Sequence, residues 1–364
     1  MLSRKEITMK KLNLAIIGQG RSGRNIHGAY VHSDFNKYYT VKYVVDADEK
    51  RRARAKEEYE GAVVLADYKE LFNYDDIDLC VNASYSEMHY EITKDLLEHK
   101  INVLSEKPLA RNRYECDNLI KAAEESGALL AVFHNTQLAP FYLHAQELIN
   151  NGTLGDVKQI SLVYNGFARR WDWQTLQKKL AGSVYNTGPH PIAMALGFLD
   201  FDKDTRVAFS KLDTALTSGD ADDFAKFILV APNKPLIDLE INSTDAFSDF
   251  NIKIQGSRGT LKSNPQGYKL KYIVDGENPE RPVQETFIHD DEWKPIYCSE
   301  KLVSHEEEGT YDGTAFTVGA AGIYENVYKA ITEGEPLKVT CEMAKAVVGI
   351  MENLHAENPL PRKF

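Results

Sequence analysis

The sequence contains few cysteines and no long apolar run. Its 364 residues include four cysteines, which are Cys80, Cys116, Cys298 and Cys341. No two of them have the C-x-x-C spacing of a zinc site, and they suggest no disulfide framework, so a reducing compartment is expected. No stretch approaches the ~20 apolar residues of a membrane span, and the N-terminus shows no apolar region long enough for a signal peptide. We therefore expect a cytoplasmic protein with no membrane partner.

The chain also lacks an excess of basic residues. Its net charge is −11, which argues against nucleic acid or an anionic membrane as a main partner, because both attract cationic surfaces. We also predict no metal site. The length and a hydrophobic content of 43% favour two domains, which we place at residues 10–135 and 136–364. Met9 resembles an alternative start, and residues 1–8 are then a loose N-terminal extension.

The pattern up to about residue 135 alternates short apolar runs with helix-like stretches. The strand-like runs are residues 12–18, 39–46, 62–65, 77–83, 101–106 and 128–134, and the helix-like stretches are about 21–31, 48–59, 87–99 and 112–127. Such alternation implies crossover connections and a parallel sheet covered on both faces. The sequence predicts an α/β fold with a Rossmann dinucleotide-binding domain at the N-terminus.

The pattern then changes to successive strand-like runs with few helices between them. These runs lie between residues 157 and 256, and several alternate apolar and polar residues, which is typical of an antiparallel sheet. Helices are predicted at 318–334 and 342–357. The second domain is therefore expected to be an α/β domain with a large, mostly antiparallel, open sheet. We expect the acidic run 306–308 to be a solvated loop.

A glycine-rich turn follows the first predicted strand. The motif G-x-G-x-x-G comprises Gly18, Gln19, Gly20, Arg21, Ser22 and Gly23. In such a motif the first glycine permits a tight turn, the second lets the backbone approach a diphosphate, and the third lets helix and strand pack closely. The helix N-terminus attracts the anion. The motif alone is a weak signal, but its place between a strand and a helix predicts a dinucleotide site.

Asp46 ends the second strand at the distance expected of an acid that binds the adenosine ribose. Its carboxylate accepts hydrogen bonds from both ribose hydroxyls and repels a 2′-phosphate, which favours NAD over NADP. Arg51 and Arg52 lie close to Asp46 along the chain and could bind a 2′-phosphate, so NADP stays an alternative cofactor. The structural alternative is that Asp46 caps the following helix.

Lys107 stands at the end of the fifth strand, in the stretch LSEKPLA. Ligands bind at the carboxyl ends of parallel strands, so its ammonium should face the nicotinamide crevice, where it can bind a substrate oxygen or exchange a proton. Glu106 is placed to pair with the ammonium, and Pro108 restricts the backbone. The structural alternative is an exposed lysine in a surface salt bridge.

These motifs together resemble the Gfo/Idh/MocA oxidoreductases, the family of glucose–fructose oxidoreductase and inositol dehydrogenase. The resemblance covers about residues 11–360. It rests on GQGRSG at 18–23, Asp46, NASYSEMH at 82–89, Glu106-Lys107-Pro108, Asn135 with Pro140, Gly152 to Gly155, His190 and QGSRGTL at 255–261. It implies the two domains described above.

The resemblance also implies roles for individual residues. Lys107 matches the catalytic lysine, and Ala83, Ser84 and Glu106 match cofactor-binding positions. Asn135 matches a residue beside the nicotinamide carboxamide, although an Asx-turn is an equally natural role next to a strand end. For His89 we favour packing and backbone hydrogen bonding.

The sequence departs from the family at its second catalytic motif. The family pattern D-x-G-x-H is replaced by Asn186-Thr187-Gly188-Pro189-His190. Asn186 cannot take up a proton at neutral pH, so His190, with an unperturbed pKa of about 6.5, is the better general base. Lys107 then stabilises the developing alkoxide.

A stretch upstream of this motif reads RRWDWQ, residues 169–174. Arg170 and Trp171 are candidate substrate-binding residues, with Lys107, Asn186 and His190, because indole rings stack on sugars and guanidinium binds hydroxyls or carboxylates. The alternative is structural: Trp171 and Trp173 pack the domain junction while Arg170 pairs with Asp172. Tyr164 and Asn165 are weaker substrate candidates, and the polar segment from about 275 to 313 is a possible lid or dimer contact.

We predict an NAD(P)-dependent oxidoreductase that transfers a hydride between a nicotinamide and a sugar, inositol or related polyol. Lys107 and His190 handle the substrate oxygen and its proton. Two alternatives stay open: a non-catalytic regulator that binds dinucleotide and sugar, and an NAD-dependent lyase or glycosidase. A homodimer or homotetramer through the second sheet is expected, because an open sheet face rich in Phe, Ile and Leu needs cover.

Overall fold

The computed structural model describes residues 10–364. The predicted N-terminal extension, residues 1–8, and Met9 lie outside these described residues. The structure contains two large sheets, one built from each half of the predicted organisation.

Six short parallel strands form the first sheet. They are β1 (Leu12–Ile17), β2 (Tyr39–Val45), β3 (Val63–Leu65), β4 (Leu79–Asn82), β5 (Val103–Ser105) and β6 (Leu130–Val132). Their order across the sheet is β3-β2-β1-β4-β5-β6. Strands β1, β4, β5 and β6 are almost wholly buried, because helices cover both faces of a parallel sheet. The carboxyl ends of all six strands therefore lie at one edge.

Helices join these strands. They are a π-helix (Gly23–Gly28) that continues into α1 (Ala29–Val31), then α2 (Glu49–Glu58), α3 (His89–Glu98) and α4 (Arg113–Ser126). The helix predicted after the glycine motif is therefore present, but its first turns have the wider π geometry that is frequent at functional sites. Helix α4 ends at Gly127, whose φ of 74° suits glycine.

Eight strands form the second sheet, and a two-stranded hairpin stands apart from it. The strands of the sheet are β7 (Val157–Val163), β8 (Arg206–Asp213), β9 (Phe224–Val230), β10 (Leu236–Asn242), β11 (Ile252–Gly256), β12 (Gly259–Asn264), β13 (Gly267–Tyr272) and, after the hairpin strands β14 (Ile288–His289) and β15 (Pro295–Ile296), β16 (His305–Thr310). The order is β16-β13-β12-β11-β7-β10-β9-β8. Only the β7–β10 pair is parallel within this described sheet. The predicted fold class, a parallel Rossmann sheet followed by a mostly antiparallel one, is confirmed.

The remaining helices pack either on one face of the second sheet or against the first sheet. They are α5 (Pro140–Asn150), α6 (Ser183–Asn186), α7 (Pro189–Phe198), α8 (Ala320–Glu333) and α9 (Cys341–Glu357), with a π-helix (Ala315–Gly319) before α8. Short 3₁₀ helices span Tyr68–Asn73, Ser86–Met88, Asn135–Leu138, Trp173–Thr175 and Gln177–Lys179. None of the helices described between residues 10 and 364 combines the length and apolar character needed to cross a membrane.

Helix α8 packs against the first sheet, although its residues lie within the range predicted for the second domain. Tyr324 is fully buried, and its ring stacks on that of Tyr30 with centroids 3.9 Å apart. The hydroxyl of Tyr39, in β2, donates to the carbonyl oxygen of Tyr324 at 2.9 Å. The C-terminal part of the chain therefore completes the core of the dinucleotide-binding half.

We expected the acidic run 306–308 to be a solvated loop. It is part of the edge strand β16 instead. It pairs with β13, and the register places Glu306 opposite Lys271 and Glu308 opposite Lys269. The Lys271–Glu306 ion pair has a nitrogen–oxygen distance of 2.6 Å. Opposite charges facing each other across two strands stabilise the pairing, which the sequence pattern of a single strand does not reveal.

The open face of the second sheet carries ion pairs as well as apolar side chains. Lys226 lies between Asp238 and Glu240, and Lys262 pairs with Asp249. Phe227 is on the other face, in the core, but Phe209 and Leu236, which are 52% and 36% exposed, lie on the open face beside the charged residues. Assembly through this face stays a prediction.

Candidate active site

The glycine-rich loop has the geometry of a dinucleotide-binding turn. Gly18 has a φ of 89°, and a Cβ there would lie 2.3 Å from the carbonyl oxygen of Ala83. A Cβ on Gly23 would lie 1.8 Å from the carbonyl oxygen of Gly18. Both glycines are therefore required by close backbone packing. A Cβ on Gly20 would meet only the Arg51 guanidinium, at 3.7 Å, so the backbone is open to a ligand at the second glycine.

This difference between the glycines leads to a prediction. Gly20→Ala should leave the melting temperature within about 2 °C of wild type, because the structure has room for the methyl group, but weaken NAD binding roughly 10-fold by occupying the approach to the backbone. The measurements are a thermal melt and a fluorescence titration with NAD. Gly23→Ala is the matched control and should lower the melting temperature. Unchanged NAD affinity in Gly20→Ala would contradict a diphosphate site at this loop.

Asp46 lies at the end of β2 and is buried next to the glycine loop. Its Oδ2 accepts a hydrogen bond from the backbone N–H of Gln19 at 2.7 Å. The alternative role, as a helix cap, is wrong: Asp48 caps α2 by accepting from the backbone N–H of Arg51 at 3.0 Å. Arg51 also approaches Asp46, with Nη1 3.6 Å from Oδ2. A carboxylate and a guanidinium thus stand together where an adenosine ribose is expected.

The turn after β4 packs against the glycine-rich loop. Ala83 contacts Gly18, and the Ser84 hydroxyl donates to Asn82 Oδ1 at 2.7 Å. His89 is buried, with Nδ1 2.8 Å from the carbonyl oxygen of Pro108 and Nε2 3.2 Å from that of Ser84. This is the packing and backbone-bonding position that we expected for His89.

Lys107 reaches from the first domain to the second. Its Nζ donates to the carbonyl oxygen of Asn186 at 2.7 Å. Burial lowers the pKa of Lys107, although the neighbouring carboxylate of Glu106 opposes the shift. The expected pairing of Glu106 with this ammonium is wrong, because Oε1 of Glu106 lies 3.2 Å from Nε2 of His27 and Oε2 accepts from the backbone N–H of Lys107 at 3.1 Å. Glu106 therefore holds the backbone of Lys107 and leaves the ammonium facing the cleft.

His190 lies in the first turn of α7, close to Lys107. Its Nδ1 is 3.4 Å from Oγ1 of Thr136, which follows β6. Burial, then the positive charge of Lys107 and then His134, lower the pKa of His190 well below its usual value. The imidazole is neutral at pH 7 and is able to accept a proton.

Asn135 is fully buried between β6 and the π-helix that precedes α8. Its Nδ2 donates to the carbonyl oxygen of Ala315 at 3.0 Å, which replaces the Asx-turn alternative with a long-range contact. Its Oδ1 has no hydrogen-bond partner among residues 10–364. A buried acceptor without a partner is costly, and a carboxamide N–H of a nicotinamide is a suitable donor. The residues at this edge of the first sheet therefore fit a dinucleotide.

A cavity of about 360 Å³ lies in the second domain beside Asn186. Arg170 Nη2 donates to Gln174 Oε1, and Gln174 Nε2 donates to Asn186 Oδ1 at 2.6 Å. A guanidinium only donates hydrogen bonds, so this series of hydrogen bonds fixes the orientation of both amide groups. Nδ2 of Asn186 is then left as a donor that faces the cavity. Tyr164, Asn165, Ser183 and Thr187 are also in the lining. A larger, open depression of about 740 Å³, between β12 and β16, contains none of the candidate residues.

The two tryptophans of the stretch 169–174 have different surroundings. Trp173 meets Tyr85 edge-on, with ring centroids 5.0 Å apart, so it packs the domain junction as the structural alternative expects. Arg170 pairs with Asp172 at 2.7 Å but also lines the cavity. Trp171 is 80% exposed and is not among the lining residues. Arg170 and Asn186 therefore line the same cavity, whereas Trp171 lies outside its lining.

Two family models match the chain. One, described as the oxidoreductase family with an NAD-binding Rossmann fold, matches residues 12–134, and the other, the GFO/IDH/MocA C-terminal domain, matches residues 142–262. This chain belongs to the Gfo/Idh/MocA oxidoreductases. It is therefore an oxidoreductase with an NAD-binding Rossmann domain, as the motifs suggested.

Several curated proteins of known name are similar to this family member. The scyllo-inositol 2-dehydrogenase (NADP(+)) IolW of Bacillus subtilis is 27% identical over 194 residues, which is 53% of each chain, so the match spans about half of that relative. Inositol 2-dehydrogenase 2 of Saccharopolyspora erythraea is 27% identical over 70% of this chain and 74% of its own. The 2,7-anhydro-N-acetylneuraminate hydratase of Mediterraneibacter gnavus is 25% identical over 79% of this chain and 77% of its own.

Solved structures share the fold. The putative oxidoreductase yvaA of Bacillus subtilis has a TM-score of 0.73 at 22% identity, covering 96% of both chains. GenD2 from gentamicin A biosynthesis, solved in complex with NAD, has a TM-score of 0.73 at 20% identity, covering 98% of this chain and 96% of its own. At these identities the similarity establishes the two-domain architecture of the Gfo/Idh/MocA oxidoreductases and nothing finer.

Three residues of the site were not recognised in the sequence. His27 binds Glu106, Thr136 contacts His190, and Gln174 orients Asn186. Thr136 stands next to the selected Asn135, Gln174 ends the stretch 169–174 that contains Arg170 and Trp171, and His27 lies four residues after the last glycine of the motif. Their partners are distant in the chain, so only the fold reveals their roles in this Gfo/Idh/MocA protein.

Two buried histidines predict how stability depends on pH. Burial, followed by the charge of Lys107, lowers the pKa of His134 to about 4, and the pKa of His190 is lowered in the same direction. Between pH 6.5 and 4 the unfolded chain thus binds more protons than the folded one, so stability falls as pH falls. His134 alone should account for about 2 kcal/mol between pH 7.5 and pH 5.

Urea unfolding of wild type and His134→Asn at the two pH values measures this effect. The variant should lose about 2 kcal/mol less than wild type between pH 7.5 and pH 5. His99→Asn, at an exposed position, is the control and should behave as wild type. Equal losses in wild type and His134→Asn would show that His134 does not stay neutral in the folded protein.

Proposed function

We propose that this oxidoreductase is an NAD(P)-dependent dehydrogenase or reductase that acts on a sugar, an inositol or a related polyol. The observation that carries the proposal is the meeting of Lys107, Asn186 and His190 at the carboxyl ends of β5 and β6. The names of two relatives, scyllo-inositol 2-dehydrogenase and inositol 2-dehydrogenase, support the substrate class.

Each side chain of the site has its own role toward the substrate hydroxyl. Lys107 donates a hydrogen bond to the reacting oxygen and stabilises negative charge that develops on it. His190 is neutral and accepts the hydroxyl proton, and Thr136 holds its ring. Asn186 contributes an N–H donor where most of the family has a carboxylate. A bound nicotinamide supplies the hydride acceptor or donor.

The remaining binding roles are part of the same proposal. The backbone of residues 18–23 holds the diphosphate, Asp46 the adenosine ribose, and Asn135 Oδ1 the carboxamide. Ala83 and Ser84 line the cofactor next to the glycine loop, whereas Glu106 acts through the backbone of Lys107 and not on the cofactor directly. Arg170 binds a polar group of the substrate from the wall of the cavity. Trp171 has less support as a substrate-binding residue, because its side chain is exposed.

Asp46 and Arg51 predict the choice of cofactor. The Asp46 carboxylate repels a 2′-phosphate, so wild type should use NAD better than NADP. Asp46→Ser should lower the ratio of kcat/KM for NAD to that for NADP by about 10-fold, the value of one charged hydrogen bond. Arg51→Ala in the same background should reduce the use of NADP. Steady-state kinetics with both cofactors measures the ratio, and an unchanged ratio in Asp46→Ser would remove Asp46 from the ribose site.

The absorbance of reduced nicotinamide tests the proposed activity. The protein is incubated with inositols, other polyols, sugars and sugar acids, with NAD and with NADP, and in the reverse direction with the corresponding ketones. We expect turnover with at least one polyol and none with Lys107→Ala. A substrate turned over equally well by wild type and Lys107→Ala would overturn the assigned roles.

A second candidate is an NAD-dependent lyase or hydratase. Asn186 favours it because an amide replaces the carboxylate of the usual alcohol-oxidising motif, and one relative is named as a hydratase. Such an enzyme releases product with no net accumulation of NADH. Product analysis by mass spectrometry alongside the absorbance assay separates the two reactions. The non-catalytic regulator finds no support in the site, where Lys107 and His190 stand in one cleft.

A further inference from the structure

A histidine on the last helix has a hydrogen-bond acceptor at each of its two ring nitrogens. His355 lies on α9, and its Nδ1 is 2.8 Å from the carbonyl oxygen of Met351, one turn earlier on the same helix. Its Nε2 is 3.3 Å from Oδ1 of Asp222, in the connection that leads into β9. A carbonyl oxygen and a carboxylate only accept hydrogen bonds, so both ring nitrogens have to carry a proton. The geometry is therefore that of an imidazolium paired with a carboxylate.

The carboxylate of this pair also holds the short helix α6. Asp222 is 2% exposed. Its Oδ2 accepts from the backbone N–H of Val184 at 2.8 Å, and its carbonyl oxygen accepts from the backbone N–H of Ser183 at 2.7 Å. The first N–H groups of a helix have no partner within the helix, and here Asp222 supplies two of those partners. A Cβ on Gly182 would lie 2.3 Å from Oδ1 of Asp222, so glycine lets the carboxylate come this close.

The rest of α6 joins the same histidine to the active site. The ring of Tyr185 stacks on that of His355, with centroids 4.4 Å apart and planes 18° apart, and a cation is attracted to the face of an aromatic ring. The next residue, Asn186, accepts the hydrogen bond of Lys107 Nζ on its carbonyl oxygen at 2.7 Å. A single turn of helix therefore lies between the imidazolium–carboxylate pair and the ammonium assigned to the substrate oxygen.

We propose that Asp222 and protonated His355 are positioning residues of this active site, which fix α6 and thereby hold Asn186 in place beside Lys107. Asp222 also lines the cavity, but its two carboxylate oxygens are occupied by Val184 and His355, so it acts on the substrate through α6. Loss of a proton from His355 sets the lone pair of Nε2 against the carboxylate and loosens the helix. Turnover should therefore fall when His355 is deprotonated. This inference rests on the proposed function, because it concerns the pH dependence of the same site.

The environment of His355 sets the pH range of this effect. Burial acts to lower its pKa, but the hydrogen bond and charge of Asp222, and then the hydrogen bond to Met351, raise the pKa above its ordinary value. The pair is therefore fully formed below the unfolded pKa of about 6.5. It is lost as the pH rises through the higher pKa of the folded protein.

Asp222 is the charged group that faces the ring. Helix α9 packs against α4, α7, β6 and β8, and the charged side chains that α4 and β8 bring near it have partners of their own. These contacts are the ion pairs Arg113–Glu352, Asp117–Lys345 and Lys211–Asp213, with Glu357 accepting from Ser210. In α7 and β6 the titratable residue is His190, which lies beside Lys107. On α6 it is Tyr185, whose hydroxyl is 3.4 Å from the carbonyl oxygen of Arg111.

The pH profile of kcat tests the proposal. Deprotonation of Lys107 also lowers turnover at alkaline pH, and two variants separate the two groups. His355→Gln keeps an N–H donor toward Asp222 but does not titrate, so the part of the alkaline fall that belongs to His355 should disappear. Asp222→Asn removes the charge that favours the imidazolium and should move this fall to lower pH by about one pH unit. An alkaline fall that is the same in wild type and in both variants overturns the proposal.

His99 offers a matched control. It stands at the end of α3, its Nδ1 is 2.7 Å from the carbonyl oxygen of Asp95 one turn earlier, and its ring stacks on Phe72 with centroids 3.6 Å apart. These local contacts resemble those of His355, but no carboxylate within residues 10–364 forms an ion pair with His99. His99→Gln should leave kcat and its pH profile unchanged. An equal change in His99→Gln and His355→Gln would contradict a specific role for the Asp222–His355 pair.

Two further measurements need no turnover. The ring of His355, assigned by its absence from His355→Gln, is followed by NMR as the pH is raised, and its pKa should lie above about 6.5 in wild type and lower in Asp222→Asn. Hydrogen exchange at one fixed pH, followed by mass spectrometry, should be faster at residues 183–188 in Asp222→Asn and unchanged at residues 12–23. A pKa at or below about 6.5 in wild type, or unchanged exchange at α6, overturns the proposal.

The variants also have to be shown to fold. Unchanged far-UV circular dichroism establishes this, and His355→Gln, which keeps the Asp222 carboxylate, decides by itself if Asp222→Asn does not fold. A protein without turnover on any polyol would refute the proposed function. The NMR titration and the exchange at α6 would still decide whether Asp222 and His355 hold the helix.

Discussion

Lys107→Ala is expected to lower kcat by about 10³-fold or more while NAD affinity stays within about twofold of wild type. The side chain donates to the carbonyl oxygen of Asn186 at 2.7 Å, and the same ammonium is placed to hold the substrate oxygen next to the neutral imidazole of His190. Its removal takes away the charge that stabilises an alkoxide, but none of the groups assigned to the diphosphate or the ribose. Steady-state kinetics and an NAD titration measure the two effects.

Two further variants make this result specific. Lys107→Met keeps most of the aliphatic volume and should be as inactive as Lys107→Ala, which separates charge from packing. Lys94→Ala removes a partly exposed lysine that pairs with Glu98 on α3 and should keep full activity. If Lys107→Met retains more than about a tenth of wild-type kcat, the ammonium is not the group that holds the reacting oxygen, and the proposed mechanism fails.

Glu106→Ala is expected to lower the free energy of unfolding by about 3 kcal/mol or more. Glu106 is 3% exposed, and its two oxygens meet Nε2 of His27 and the backbone N–H of Lys107. Nδ1 of His27 in turn lies 2.8 Å from the hydroxyl of Tyr324 on α8. The substitution leaves buried polar groups on both sides of the site without their partner. Urea unfolding monitored by circular dichroism gives the difference.

The pH dependence of this difference is also predicted. Burial acts to raise the pKa of Glu106, but the hydrogen bond and charge of His27 outweigh it and lower the pKa to about 2. The stabilisation is therefore fully present above the unfolded pKa of about 4.3 and is lost as the pH falls through about 2. Glu98→Ala, which breaks only a surface pair, should cost less than about 1 kcal/mol. A similarly small cost for Glu106→Ala would contradict the buried arrangement.

The cofactor half of the site was predictable because its signals are local. Gly18, Gly20 and Gly23 lie within six residues, and the conformation of such a turn depends on the absence of side chains at those positions. Asp46 and Lys107 each follow an apolar run, and the carboxyl ends of parallel strands meet at one edge. The family match at residues 12–134 agrees with this part of the prediction.

The second half of the site was less predictable because its contacts join distant segments. The sequence indicated that Asn186 replaces an acid, but not that Gln174 and Arg170 orient its amide. The position of His190 after a proline does not show how deeply its ring is buried, so the sequence does not predict the lowering of its pKa. The pairing of Glu106 was assigned to its neighbour Lys107, whereas the carboxylate binds His27, 79 residues away.

The sequence by itself determined the strands of the dinucleotide-binding half, the glycine turn and the lysine at the end of β5, because each depends on the chemistry of a few adjacent residues. Only the tertiary structure decided that α8 returns to the first sheet, that the acidic run 306–308 forms an edge strand opposite lysines, and that ion pairs lie on the open face of the second sheet. These features depend on which surfaces meet, and the same apolar or charged pattern is compatible with several partners until the chain is folded.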